Sequence, residues 1–199
     1  TLSLHDALPI SLSIYAREAL SKEKGPIHMV CLVKELSIPE NHWYYWPNQG
    51  TRVVGNLCHW TDLADFIIGH EPVSIEASSA PGHPAGDEVT AVVDYSDGSK
   101  LTIVATDRGN SLRGVQEYID LRRGDTTVTI DDYTRLTEME SGKKRVFHKR
   151  IRDKGHIKMY HHFMMNLKNK RKSEFIGSDL YNSTSCYLDV VSSIQRGLK

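Results

Sequence analysis

Apolar and polar positions divide the chain into elements before any chemistry is considered. Residues 13–24 place Ile14, Ala16, Ala19 and Leu20 at helical spacing, and Gly25-Pro26 stops the run. Residues 27–36 alternate as a strand through Ile27, Met29, Cys31 and Val33, with Val30 and Leu32 making its second face partly apolar. From His59 the spacing of Trp60, Leu63, Ala64, Phe66 and Ile67 predicts a helix packed on a sheet, closed by Gly69. Residues 71–79 alternate again through Val73, Ile75 and Ala77, and residues 80–88 read as a loop. Residues 89–95 and 101–106 flank a tight turn marked by Asp97-Gly98. Residues 115–121 and 126–130 form a second hairpin across residues 122–125. Strands this close in sequence leave no room for crossover helices, so this part of the sheet is predicted antiparallel.

Asp131 or Asp132 is positioned to cap a short helical turn through Tyr133 and Leu136, and residues 145–151 read as a charged edge strand. After Lys154 the period becomes helical, through Ile157, Tyr160, His161, Met164, Met165 and Leu167 to about Asn169. A last helix, capped by Ser178 or Asp179, is expected to bury Leu180, Thr184, Tyr187, Leu188, Val191 and Ile194, and to end at Gly197. The predicted fold class is α+β: an open-faced, mostly antiparallel β-sheet with helices packed on one face. With 199 residues and no internal repeat, one domain is expected over residues 12–199. Residues 1–11, TLSLHDALPIS, lack an initiator Met, contain Pro9 and read as a junction segment.

Composition narrows the function classes. Formal net charge is zero, which gives no global attraction for nucleic acid or membrane. The charge is divided, however: residues 1–140 carry 11 Lys/Arg against 21 Asp/Glu, and residues 141–199 carry 14 against 4. That division predicts two solvated faces, an attraction between the halves, or an ordered dimer. No apolar run approaches the ~20 residues of a membrane span, and no secretory leader is evident. Three cysteines without CxxC pairing argue against a disulfide framework and a cysteine zinc site, and fit a reducing, cytoplasmic location. The basic run in 143–154 lacks the aromatic interleaving of a nucleic-acid surface, and His156, His161 and His162 do not have metal-ligand helical spacing. Neither GxGxxG nor GxxxxGK[ST] occurs.

Candidate chemistry concentrates in residues 48–69. His59 and Asp62 lie three apart and share a helical face if the helix has begun by His59. An imidazole that titrates near neutrality can take a hydroxyl proton as a hydride leaves the same carbon, and Asp62 can orient it. The alternative is a capping or core histidine. Arg52 and Asn56 can bind hydroxyl or carboxylate groups, or serve the glycine turn. Ahead of them, Trp43, Tyr44, Tyr45 and Trp46 crowd a loop before Pro47. Tyr45 and Trp46 can line a cleft for a sugar or polyol, or the loop can cover the core.

The run GTRVVGNLCHWTDLADFIIG, followed by EPVSIEA and DYSDGSKLTIVAT, resembles the C-terminal domain of the Gfo/Idh/MocA oxidoreductases. TTVTIDDYTRL and RDKGHIKMYHHFM resemble later landmarks of that domain, and the similarity runs from about Tyr15 to Arg196. The resemblance implies a parent with an N-terminal Rossmann domain for NAD or NADP. It also implies a sugar or cyclitol substrate and a homo-oligomer built through the sheet face. It makes His59 and Asp62 the catalytic pair, with Arg52, Asn56, Tyr45 and Trp46 on the substrate side. Many members carry a carboxylate four residues before the histidine; here Gly55 stands there, followed by Asn56. Without a Rossmann fingerprint, the fragment alone is expected to bind no NAD or NADP and to be inactive; no metal is expected either, from the histidine spacing. A non-catalytic oligomerisation domain and a carbohydrate-binding domain using Trp43, Tyr45 and Trp46 are the alternatives.

Overall fold

A computed structural model describes residues 11–47, 49, 51–80, 88–109, 114–152, 154–170 and 177–197. The glycine turn at Gly50, residues 81–87 of the 80–88 loop and residues 1–10 of the junction segment lie outside them. The strands are β1 (His28–Lys34), β2 (Pro72–Ser79), β3 (Val89–Tyr95), β4 (Lys100–Thr106), β5 (Gln116–Arg123), β6 (Thr126–Asp131), β7 (Arg135–Glu140) and β8 (Lys143–His148). The helices are α1 (Ser11–Leu20), α2 (Cys58–Ile68), α3 (His156–Lys168) and α4 (Gly177–Gly197).

All eight strands join one open sheet in the order β2-β3-β4-β1-β5-β6-β7-β8. Every neighbouring pair is antiparallel except β1 and β4, which run parallel from His28↔Lys100 to Lys34↔Thr106. The parallel pair arises because the chain leaves β1, makes α2 and the β2–β3 hairpin, and returns beside it as β4. Period-two alternation selects the buried face. Met29, Cys31 and Val33 of β1, Leu101, Ile103 and Ala105 of β4, Ile119 and Leu121 of β5, and Val128 and Ile130 of β6 all face the core. Leu12, Ala16, Ala19 and Leu20 of α1 and Trp60, Leu63, Ala64 and Ile67 of α2 close over them. Each Leu, Ile, Val or Met among them contributes about 1.5–3 kcal/mol by leaving water.

The turn at Asp97-Gly98 forms as its sequence predicts. The Asp97 carboxylate accepts from the Ser99 N–H at 2.9 Å and its hydroxyl at 2.8 Å, while Gly98 takes φ 87°. The β2 edge of the sheet is covered by a helix. Ser193 of α4 bonds the Ala77 N–H of β2 at 2.9 Å, covering an edge that would otherwise offer unpaired backbone groups.

Three expectations are corrected. Asp131 and Asp132 cap no helix: Asp132 and Tyr133 take φ 46° and 52°, reverse the chain, and Leu136 falls in β7. Four residues at helical spacing cannot nucleate a turn when their backbone closes a hairpin instead; the Asp132 N–H donates to Glu117 O at 2.7 Å and its carboxylate pairs with Arg152 at 2.8 Å. The buried stripe of α4 is Ser183, Cys186, Val190 and Ile194, whereas Thr184 and Leu188 are exposed. Ser183 and Cys186 are small, so α4 approaches β2 and α2 on that side. Ser178 and Asp179 lie inside α4 rather than before it, and the Leu180 side chain is outside the described set.

The divided charge is used within the chain. Arg145, Arg152 and Lys154 of the basic part pair with Glu138, Asp132 and Glu117 of the acidic part at 3.1, 2.8 and 2.9 Å. The α3 helix forms over the predicted span but buries only Met159 among its described residues. Its Ile157, Tyr160, Phe163, Met164 and Leu167 remain exposed.

Candidate active site

The site is built where β1 ends and α2 begins. The backbone reaches α2 through Thr51, held at φ 63°, and a π-helical turn over Val53–Leu57. A β-branched residue in the left-handed region and an extra residue per turn are both costly, and both occur often beside functional groups. The π turn runs directly into α2, whose C-cap Gly69 takes φ 70° and donates its N–H to Asp65 O.

His59 is half-buried in the first turn of α2, its ring 6.3 Å from Trp60 in an edge-on arrangement. Burial pushes the imidazole pKa below its ordinary value. The Asp62 carboxylate opposes that shift, while the charges of Lys154 and His156 reinforce it. His59 therefore enters neutral solution as a neutral base. Asp62 is itself buried, on the same helical face, and acts on His59 through its charge. Lys154 precedes α3 and His156 opens it, so the charges at the entry to that helix act on the imidazole.

Arg52 and Asn56 converge on a carboxylate that the sequence pattern does not single out. Glu35 follows β1, its N–H donating to Thr106 O at 2.8 Å, and is 1% exposed. The Arg52 guanidinium, 2% exposed, donates to it at 3.1 Å, and the Asn56 Nδ2 donates to its other oxygen. Burial pushes the Glu35 pKa up, and Arg52, Asn56 and Lys154 push it back. Arg52 is thus engaged inside the protein, behind Asn56.

The aromatic loop splits into different roles. Trp43–Tyr45 forms a short 3₁₀ turn capped by His42, whose ring accepts from the Tyr44 N–H at 3.3 Å. Tyr44 packs edge-on against Trp43 and leans over the π turn, donating its hydroxyl to Gly55 O at 3.2 Å. A Cβ on Gly55 would overlap Cε1 of the Tyr44 ring and stand 2.6 Å from its Cζ, so that ring occupies the space of any side chain at position 55. Tyr45 is half-buried, and Trp46 is exposed with its indole N–H on Asn41 O at 3.3 Å. Trp43 is exposed as well.

The structure therefore gathers Asn56, His59, Asp62 and Arg52 at one end of α2 and adds Glu35, Tyr44, Lys154 and His156. Glu35 had one legible signal, an acid at the end of an apolar strand. Tyr44 and Lys154 had none, because their partners lie 11 and 37 positions away. A separate groove of about 920 Å³ lies between α1, α2 and α3, lined by Ile14, Arg17, Phe66, Ile157, His161 and Met165, and none of the residues just named lines it. Among the described residues, no His, Cys, Asp or Glu group of three or more is arranged to hold a metal ion. No helix among them is long and apolar enough to cross a membrane.

Just over half of the chain, residues 16–119, matches the model of the GFO/IDH/MocA C-terminal domain. The chain belongs to the Gfo/Idh/MocA family. Solved structures agree on the fold. UDP-N-acetylglucosamine 3-dehydrogenase from Acidithiobacillus ferrooxidans superposes with a TM-score of 0.76 at 15% identity, over 98% of this chain and 61% of that one. An oxidoreductase from Agrobacterium radiobacter, solved with NAD+, L-tartaric acid and magnesium, gives 0.71 at 14% identity, over 97% and 62%. Levoglucosan dehydrogenase, solved with NADH and L-sorbose, gives 0.70 at 14%, over 96% and 61%. The chain thus spans about three-fifths of the length of these proteins. No curated protein matches it.

Proposed function

We propose that this chain is the substrate-side domain of an NAD(P)-dependent oxidoreductase acting on a hydroxyl-bearing carbon of a sugar or cyclitol. The observation that carries this reading is His59: a half-buried imidazole, kept neutral by burial, at the head of α2 in a chain of this family. In the oxidative direction His59 takes the hydroxyl proton as the carbon gives up hydride and becomes a carbonyl. Nicotinamide, bound by a domain outside these residues, supplies the hydride acceptor. Asp62 steadies the imidazolium that forms. Asn56 contacts a neighbouring hydroxyl, with Arg52 behind it, and Tyr45 and Trp46 border the sugar face. The sugar-directed names of two of the similar structures support the substrate class.

Homo-oligomerisation through the open sheet face belongs to the same reading. It is supported by Leu32 and Tyr118, direct cross-strand partners that are 47% and 39% exposed on that face. The deciding experiment joins these residues to the nicotinamide-binding domain of their parent and replaces His59 by Ala. Hydride transfer falls at least a hundredfold, in the range typical for removing a general base, with the fold intact by circular dichroism. Unchanged turnover removes His59 from the reaction. The 199-residue chain alone binds no NAD by calorimetry, and tight binding would overturn the division of labour between the domains.

A further inference from the structure

The buried carboxylate at the end of β1 has a consequence for the site. Glu35 is sealed from water, and its backbone is pinned to β4. Facing it are Arg52, just before the π turn, Asn56 within it and, by charge, Lys154 just ahead of α3. An ionised carboxylate accepts hydrogen bonds and cannot donate them, so the Asn56 atom turned toward it is the amide nitrogen. The carbonyl end of that amide is then the end available to a ligand. Asn56 lies three residues before His59, where the π turn passes directly into α2, so the two occupy adjoining turns of one helical run. The adjoining position offers no alternative group, because the Tyr44 ring fills the space over Gly55.

We propose that Glu35 is a positioning residue: it holds the Asn56 amide by its nitrogen, so that the carboxamide oxygen is presented beside His59 as a neutral acceptor for a substrate hydroxyl. The assignment of the ligand as a sugar or polyol hydroxyl rests on the proposed function; the arrangement itself does not. Neutrality matters chemically. A carboxylate at position 56 would add to the charge of Asp62 in favouring the imidazolium, whereas an amide accepts the same hydrogen bond without that added charge.

The test exchanges the two groups. Glu35→Gln, Asn56→Asp and the double variant are made in the 199-residue chain, and the double variant keeps a single carboxylate in the cluster. Each single variant lowers Tm by about 2–8 °C, since each leaves a buried polar group mispaired. In the double variant the new amide at position 35 donates to the new carboxylate at position 56, and most of that loss is recovered. The His59 titration midpoint, followed by NMR, rises in the double variant by roughly half a pH unit, the effect of one charge a helical turn away. In Glu35→Gln alone the midpoint stays at the parent value. A pair that served stability alone would restore Tm without moving His59. Absence of Tm recovery shows that Glu35 does not hold Asn56, and an unmoved midpoint shows that Asn56 does not face His59; either overturns the proposal. If Glu35→Gln does not fold, comparison of Asn56→Asp with the double variant still decides it. Neither measurement needs nicotinamide or turnover, so a failed dehydrogenase reading leaves these results distinct.

Discussion

Replacing Gly55 by Ala sets two effects of opposite sign against each other. Gly55 sits in a helical turn with no positive φ, and such a Gly→Ala change ordinarily stabilises by up to about 1 kcal/mol. Here the added Cβ overlaps Cε1 of the Tyr44 ring and meets its Cζ and Cδ1 at 2.6 and 2.7 Å. The ring has to swing away, losing its hydroxyl bond to Gly55 O, worth about 0.5–1.5 kcal/mol. Overpacking of this kind costs about 1–3 kcal/mol in addition. The clash outweighs the helix gain, and a net loss of about 1–3 kcal/mol is expected. For a domain of this size that corresponds to a fall in Tm of about 2–12 °C. Urea denaturation of the parent, Gly55→Ala, Tyr44→Ala and the double variant measures it. In the Tyr44→Ala background Gly55→Ala becomes neutral or stabilising, because only the helix term remains. A Gly55→Ala protein at least as stable as the parent, with Tyr44 present, would refute the packing described for this turn.

Three other outcomes follow from the same geometry. Arg52→Met leaves Glu35 buried without its guanidinium and costs about 3–5 kcal/mol at pH 7. Because burial already raises the Glu35 pKa, protonation relieves that cost, so the variant's deficit in urea shrinks toward about pH 5. His59, whose pKa is lowered in the folded chain, contributes stability that is present above the ordinary histidine value and lost as pH falls below about 6.5. His59→Gln therefore flattens the decline in stability between about pH 6.5 and 5, measured by thermal melts at each pH; an unchanged slope contradicts the burial-driven shift. If the open sheet face joins copies of the chain as proposed, Leu32→Lys with Tyr118→Lys gives a slower-sedimenting species than the parent while leaving Tm within a few degrees, as both side chains point away from the core; equal sedimentation of parent and variant contradicts the proposal.

Features that depend on neighbours along the chain were legible in the residues alone. Strand alternation grouped Met29, Cys31 and Val33 on one face of β1, the face that is buried, because side chains of a strand have nowhere to go but two faces. Asp97-Gly98 and Gly69 fixed a turn and a helix end, because their backbone angles are chosen locally. His59 and Asp62 stood out as a helical pair for the same reason. Tertiary structure decided the rest. Four residues around Asp132 looked helical until their partners proved to be Glu117 and Arg152, and α4 turned toward Ser183 and Cys186 because small side chains let it approach the sheet. At the site, Glu35 becomes the centre of a polar network only when the end of β1 is brought against the π turn. Gly55 becomes meaningful only when Tyr44 lies over it. Periodicity records which side of an element is buried; it carries no information about which distant group is buried against it.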